Sequence, residues 1–272
     1  MAINIQGPSV SQQIRDRTSG QESAHWYKGD GTPAHRQESG RSTTLREARK
    51  EKKETGEGLY PSVTSILNII NKDGLNRWKI RETLRAAWDC RQFTGMLDEW
   101  LDMVISKSSE KSGTAMNFGT RFHEAAWQHN TGQVVNCDDE VKPYYERYAL
   151  WFENRVEKVL EAEQVIVSRL GFAGTRDAVM RIDGQITVVD FKTQSVDAKY
   201  GPRAWPEHAL QLAAYKSVRR PRARCMNLII NSVEPSAPHE HWWKVEDIKK
   251  AYAEFKFCLK LWQSRKKYNP KG

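Results

Sequence analysis

The stretch GTRDAVMRIDGQITVVDFKT, residues 174–193, has the pattern of a β-hairpin. β-Branched and apolar residues flank Asp183-Gly184, a dipeptide typical of a two-residue hairpin turn. A turn at this position places Asp177 opposite Asp190 on the neighbouring strand. Like charges on directly opposed residues destabilise a sheet, because their Cβ atoms lie about 5 Å apart. The pair therefore predicts a cation between the two carboxylates.

The second strand of this hairpin also predicts which side chains share a face. Residues two apart point to the same side of a strand, so Lys192 lies beside Asp190. Val189 and Phe191 point to the other side, where we expect them to pack under a helix. One face thus carries two carboxylates and an ammonium group. The alternative is a surface hairpin whose Asp and Lys side chains are only solvated.

The charge of the chain suits a polyanionic partner. The 272 residues carry a net charge of +9, and from Lys256 onward there are basic residues and no acidic ones. Such runs are typical of nucleic-acid contact, but they also occur on solvated surfaces. A second basic run follows a predicted helix, at Lys216, Arg219, Arg220, Arg222 and Arg224. Three tryptophans near basic residues suit stacking of a nucleic-acid strand, although tryptophans more often belong to the core: Trp242, Trp243 and Trp262.

The cysteines and the hydropathy pattern indicate a compartment. The four cysteines are far apart and form no C-x-x-C pair, which disfavours a disulfide framework and favours a reducing compartment. No apolar run approaches the roughly 18 residues that span a bilayer. The first ten residues lack the basic start and apolar core of a secretory signal. We therefore expect a cytoplasmic protein that has no membrane partner.

The pattern of residues predicts a polar arm followed by one domain. Residues 1–58 are polar and predict an extended arm with one short helix from about Thr43. Residues 59–161 are mostly helical, with helices near 62–70, 75–93, 96–109, 114–130 and 139–161. Residues 162–272 predict strands and helices, ending in a helix over 246–266. The fold class is therefore α/β, with a mixed core and a helical N-terminal half.

Two predicted helices carry polar residues one turn apart. NFGTRFHEAAW places Gly119 and His123 on one helix face, and HALQLAAYK does the same for Gln211 and Tyr215. Alone, each is compatible with an ordinary amphipathic helix. The glycines of GFAGTRD, just before Asp177, indicate close approach by another element or by a ligand.

Taken in order, these motifs resemble a nuclease family. G-x-x-x-H, G-x-x-D, D-x-K and Q-x-x-x-Y resemble the RecB-like branch of the PD-(D/E)XK nucleases. The resemblance extends from about Gly119 to Tyr215. The earlier YPSVTSIL, followed by LNRWK, is similar to the opening of the mitochondrial genome-maintenance exonuclease and related phage exonucleases. The resemblance to the PD-(D/E)XK nucleases implies a restriction-endonuclease-like core, in which a mixed central sheet is flanked by helices. It also implies that residues 59–272 form the nuclease domain.

The resemblance also implies a metal site for Mg²⁺ or Mn²⁺, whose oxygen-rich ligand set suits hard cations. The implied ligands are Asp177, Asp190, His123 and the backbone carbonyl of Phe191. Lys192 would orient or activate the attacking water. Supporting or strand-contacting roles fall to Gln211 and Tyr215, and Glu163 is a further carboxylate candidate for the metal shell.

The implied function is that of a metal-dependent DNA nuclease, most simply an exonuclease that starts at a free DNA end in replication, recombination or repair, including that of phages. The expected partners are DNA, single-stranded or with a free end, and a replication or recombination protein. Only Cys225 and Cys258 lie in the last quarter, so no iron–sulfur cluster is expected. No G-x-x-x-x-G-K-[ST] motif occurs, so no ATP is expected.

Other interpretations remain open at this point. The chain could be an inactive DNA-binding or assembly module on a nuclease fold, with the arm engaging a partner protein. It could also hydrolyse a small phosphoester. His239 and His241 alternate on a predicted strand and are compatible with either a second metal site or an exposed edge strand.

Overall fold

The computed structural model describes residues 25–196 and 198–271, so the part of the predicted arm before residue 25 lies outside the described residues. The strands are β1 Trp26–Tyr27, β2 Tyr60–Pro61, β3 Val156–Ser168, β4 Phe172–Ile182, β5 Gln185–Gln194, β6 Arg224–Asn231 and β7 His239–Trp242. The helices are α1 Leu45–Thr55, α2 Val63–Leu67, α3 Asp73–Asp89, α4 Leu97–Asn130, α5 Lys142–Arg155, α6 Pro206–Ser217 and α7 Val245–Lys266. Among the described residues, no helix combines the length and apolar character needed to cross a bilayer.

A mixed five-stranded sheet forms the centre of the fold, in the order β3-β4-β5-β6-β7. β3, β4 and β5 are antiparallel neighbours, whereas β5 and β6 are parallel. A parallel pair needs a crossover, which α6 provides here. β7 pairs antiparallel with β6 at the edge. The prediction of an α/β fold with a mixed central sheet flanked by helices is confirmed.

Apolar side chains cover both faces of this sheet. On one face, Val188 belongs to a buried cluster with Leu212 of α6 and Phe255 of α7. On the other face, Val189 and Phe191 belong to a cluster that includes residues of α4 and α5. The prediction that these two residues of β5 pack under a helix is confirmed. The strand that carries the aspartate and lysine is thus held rigidly between two helical layers.

The region before the sheet differs from the prediction in two places. The helix predicted over 139–161 ends at Arg155, and Val156 begins β3 by pairing with Ile182 of β4. Val156 and Val159 pack against an apolar cluster from this strand, so tertiary packing favours a strand here. The helices predicted near 96–109 and 114–130 are one 34-residue helix, α4. Its interior Gly113 is tolerated at a cost of about 1 kcal/mol relative to alanine.

The described part of the N-terminal segment packs on the sheet domain. Trp26 is 1% exposed and makes edge-on contacts with the rings of Trp262 and Tyr268. The Tyr268 hydroxyl donates a hydrogen bond of 2.8 Å to the carbonyl of Leu59. The start of the described chain and its C-terminal segment are therefore joined in one apolar cluster.

Candidate metal centre

The hairpin of β4 and β5 has the predicted register. Five residue pairs run from the turn to Ala178–Val189, where the ladder ends. Asp183 and Gly184 both have positive φ, 51° and 71°. Two successive residues with positive φ are the requirement of a type I′ turn, so the turn dipeptide fixes the register as expected.

Asp177 and Asp190 lie one residue beyond the last pair of this ladder. At this point the N–H of Phe191 donates to Oδ2 of Asp177 at 2.7 Å. Just past the end of the ladder, a backbone N–H is therefore bonded to the Asp177 side chain. The prediction that the two aspartates form a directly opposed ladder pair is wrong, and part of the expected repulsion is offset by hydrogen bonds to separate donors.

Three elements bring a compact group of metal-ligating atoms together. One ligand atom each of His123 on α4, Glu163 on β3 and Asp177 on β4 lie within 4.8 Å of one another. Nδ1 of His123 is 3.8 Å from Oε1 of Glu163 and 3.8 Å from Oδ1 of Asp177. The two carboxylate side chains are 4% and 5% exposed. Two buried carboxylates this close to one imidazole form a site suited to a cation.

Glu163 enters this group because β3 is irregular at that residue. Its neighbours pair regularly, Ala162 with Ala178 and Gln164 with Arg176, but Glu163 itself is skipped. Its φ is +48°, a backbone conformation that residues other than glycine adopt at an energetic cost. Sequence reasoning ranked this residue as a lesser candidate, whereas the structure places it with His123.

Asp190 is 1% exposed and forms a second part of the centre. Its Oδ2 accepts hydrogen bonds from Nζ of Lys192 and from Nδ2 of Asn227, each at 2.7 Å. Its Oδ1 is buried and has no hydrogen-bond partner among the described residues. Burial raises the pKa of the Asp190 carboxyl, the Lys192 ammonium opposes this effect, and Asp177 adds to it.

Lys192 is held from the other side by α6. Its Nζ donates to Oε1 of Gln211 at 3.2 Å, and Nε2 of Gln211 donates to the hydroxyl of Tyr215 at 3.1 Å. The Lys192 side chain is 24% exposed, so the centre is not closed off from solvent on this side. The structure thus joins the D-x-K and Q-x-x-x-Y motifs into one hydrogen-bonded line.

Two glycines let the helices approach the site closely. A Cβ at Gly119 would lie 2.9 Å from Oγ1 of Thr193 on β5, and one at Gly174 would lie 2.8 Å from Cε1 of Tyr215. Contacts this short would force the opposing side chain or its backbone element to shift. The close approach predicted from GFAGTRD is therefore present at Gly174, and its cause is the ring of Tyr215.

Phe191 contacts two of the ligand candidates through its N–H and its ring. Its N–H orients Asp177, and its ring is buried against the imidazole of His123, with ring centroids 5.7 Å apart. The ring also meets Phe122 edge-on. The ring and the N–H of Phe191 thus position both neighbouring ligand candidates.

The available donors fit a hard divalent cation. The group offers one imidazole nitrogen and carboxylate oxygens, a set that suits Mg²⁺ or Mn²⁺. Within the described ranges, Nδ1 of His123 and Oδ1 of Asp190 are both buried without a hydrogen bond. Buried polar atoms are nearly always satisfied, so such atoms beside a carboxylate cluster indicate a ligand.

Several other candidates lie outside this centre. His239 and His241 lie on the edge strand β7, as one of the two predicted alternatives requires. Trp262 is 5% exposed and belongs to the core, so the prediction that it stacks on a nucleic-acid strand is wrong. The other two residues of that prediction have intramolecular partners. The Trp242 ring lies under Arg224, and the Trp243 N–H donates to Asn227.

Asn227 is the residue that sequence reasoning missed. It is 0% exposed, and its amide contacts Asp190 directly. The available signal was a single amide in the otherwise apolar run CMNLII of β6.

Neither the protein-family models nor the curated proteins contain a match for this chain.

Proposed function

We propose that this chain is a metal-dependent deoxyribonuclease with a PD-(D/E)XK-like core, acting as an exonuclease of the RecB-like type in DNA replication, recombination or repair. One observation carries the proposal. The carboxylates of Glu163 and Asp177, with His123 of α4 beside them, lie on the same sheet as the Asp190–Lys192 pair, whose charged atoms are 2.7 Å apart. A cation-binding group next to a fixed ammonium suits phosphodiester hydrolysis, in which negative charge develops on the phosphate.

The residues that would hold the cation are His123, Glu163, Asp177 and Asp190. When bound, Mg²⁺ or Mn²⁺ would lower the pKa of a water ligand and neutralise negative charge on the phosphate. The protein contributes a rigid arrangement, because the Phe191 N–H fixes Asp177 at 2.7 Å and the Asp190 carboxylate is tied by two donors.

Lys192 would act on the charge that develops during the reaction. Water adds to phosphorus and the P–O ester bond breaks, leaving a phosphate monoester on one product and a hydroxyl on the other. The ammonium is held between Asp190 and Gln211, so it needs little reorganisation to stabilise the developing charge or to orient the water. Tyr215 supports Gln211 from the following helical turn.

Basic and aromatic residues in the loop that follows β5 support DNA as the substrate. Gln194 is the last residue of β5, and its Nε2 donates to the carbonyl of Arg203, which ties the following loop to that strand. In this loop the Arg203 guanidinium and the Lys199 ammonium lie 4.6 Å and 5.2 Å from the Tyr200 ring centroid. Trp205, at the end of the loop, is 44% exposed. Such surfaces bind single strands by stacking and charge.

The basic run of residues 216–224 contributes less to DNA binding than the sequence indicates. Arg220 pairs with Glu161, which also binds Arg176, and Arg224 lies 3.8 Å from the Trp242 ring centroid. These two cations therefore have structural partners. Exposed basic side chains near the end of α7 remain the better candidates for phosphate contact: Lys260, Arg265, Lys266 and Lys267.

The alternative is a DNA-binding or assembly module without activity. Such a module has no use for an irregular Glu163 or for a buried Asp190 oxygen without a partner, since both features cost stability. The buried polar group therefore favours the enzyme.

The test uses end-labelled single-stranded, double-stranded and circular DNA with Mg²⁺, with Mn²⁺ or with excess EDTA. We expect cleavage of linear DNA that depends on the cation and is lost in EDTA, with circular DNA left intact. Cleavage that persists in EDTA would contradict the role of the metal. Tight DNA binding with no cleavage of any form under either cation would favour the binding module.

A further inference from the structure

Asn227 is a polar side chain in the most apolar part of the sheet. It is 0% exposed, between Met226 and Leu228, which are also 0% exposed. An amide buried without hydrogen bonds costs on the order of 1–3 kcal/mol. Here both ends of the amide are bonded, to Trp243 and to Asp190, so the contacts offset that cost.

Trp243 determines which way this amide points. The indole Nε1–H can only donate, and it lies 2.7 Å from Oδ1 of Asn227. The amide oxygen must therefore face Trp243, and the NH₂ group must face Asp190. The Trp243 backbone N–H also bonds the carbonyl of Cys225 at 3.1 Å, which holds the indole beside β6.

The oriented amide selects one oxygen of Asp190. Nδ2 of Asn227 and Nζ of Lys192 both bond Oδ2, each at 2.7 Å, and Oδ1 receives no hydrogen bond within the described chain. We propose that Trp243 and Asn227 are positioning residues that fix the Asp190 carboxylate so that Oδ1 remains for a divalent cation. The inference rests on the proposed function, because it assigns Asp190 to the metal shell.

Loss of the indole N–H should release this arrangement. Without it, the amide can turn its oxygen toward the Asp190 carboxylate and repel it. Removal of such supporting partners typically costs about 10–100-fold in metal affinity or activity. Trp243 lies beyond hydrogen-bond contact with the proposed ligands, so it would act through Asn227.

The test is Trp243→Phe, which removes the N–H and keeps an aromatic ring. The matched control is Trp242→Phe, because the neighbouring indole N–H bonds Glu240 at 2.8 Å instead. Mn²⁺ binding is followed by electron paramagnetic resonance, and DNA cleavage by single-turnover rate beside a DNA titration in Ca²⁺. We expect Trp243→Phe to weaken Mn²⁺ binding or slow cleavage about 10–100-fold while DNA affinity stays near the wild-type value, and Trp242→Phe to leave all three unchanged.

A double-mutant cycle separates positioning from a general loss of structure. If Trp243 acts through Asn227, adding Trp243→Phe to Asn227→Ala should cause no further loss of Mn²⁺ affinity or rate. Additive losses, or equal behaviour of the two tryptophan variants, would overturn the inference. A wild-type protein that neither binds Mn²⁺ nor cleaves DNA would instead refute the proposed function.

Discussion

A single added methyl group at Gly119 should loosen the contact that brings His123 to the centre. In the Gly119→Ala variant the new Cβ would lie 2.9 Å from Oγ1 of Thr193. Thr193 is β-branched and has little freedom to turn away. Overpacking of this kind costs about 1–3 kcal/mol. Because His123 follows one turn later on α4, displacement of the helix should also weaken Mn²⁺ binding.

The magnitude is best measured against a second glycine of the same helix. Among the described residues outside its own helical turn, a Cβ at Gly113 meets no atom within 4 Å, so Gly113→Ala should gain the helix propensity of alanine, about 1 kcal/mol, without strain. The same gain applies to Gly119→Ala, so the difference between the two variants isolates the strain. We expect Gly119→Ala to be about 1–3 kcal/mol less stable than Gly113→Ala in urea unfolding.

Removal of the opposing atom should rescue the variant. Oγ1 of Thr193 is the atom that the new Cβ would meet within 4 Å, so Thr193→Ala should relieve most of the cost of Gly119→Ala. Stabilisation of Gly119→Ala to the same extent as Gly113→Ala, with unchanged Mn²⁺ affinity, would refute the packing of α4 on β5 described above.

Three further outcomes are expected. Lys192→Ala should slow single-turnover cleavage about 10²–10³-fold while DNA affinity in Ca²⁺ changes little, and a wild-type rate would remove Lys192 from the site. Burial alone would raise the pKa of Glu240, but hydrogen bonds from Arg155 and two tryptophans lower it below its ordinary value of about 4.5. The ionised Glu240 therefore stabilises the fold above the unfolded pKa, and this stabilisation is lost as pH falls through the folded pKa. The stability advantage of the wild type over Glu240→Gln should therefore shrink as acid is added below about pH 5, and a constant difference would contradict this. The last prediction neutralises four exposed basic residues near the end of α7: Lys260, Arg265, Lys266 and Lys267. DNA binding should weaken equally for all sequences, and its salt dependence should flatten by about one unit of slope per lost contact. An unchanged slope would assign these residues a role in solubility.

The hairpin could be predicted from sequence because its determinants are local. A two-residue turn fixes the register, and the period of two places Lys192 beside Asp190. The structure agrees with both, down to the 2.7 Å contact of that pair. The end of the ladder at Ala178 was beyond this reasoning, because it depends on the Asp177 side chain accepting the Phe191 N–H.

The rest of the centre depends on contacts between distant segments. Glu163 lies 3.8 Å from His123 at a point of β3 where φ is positive, and no local pattern signals that conformation. Asn227 meets Asp190 because β6 lies parallel to β5, in a register set by the crossover through α6. A parallel register of this kind is fixed by packing of the whole domain, so the amide in CMNLII is visible in the sequence but its contacts with Asp190 and Trp243 are not.

The central claim is that Asp177 and its neighbours hold the cation for phosphodiester hydrolysis. Single-turnover cleavage of end-labelled linear DNA in Mn²⁺ tests it most directly, with Asp177→Asn compared against Asp183→Asn. Asp183 belongs to the same hairpin but lies at its turn, where asparagine also tolerates a φ of 51°. We expect the wild type and Asp183→Asn to cleave at similar rates and Asp177→Asn to be inactive while remaining folded. Equal cleavage by the two variants would contradict the assignment of the centre.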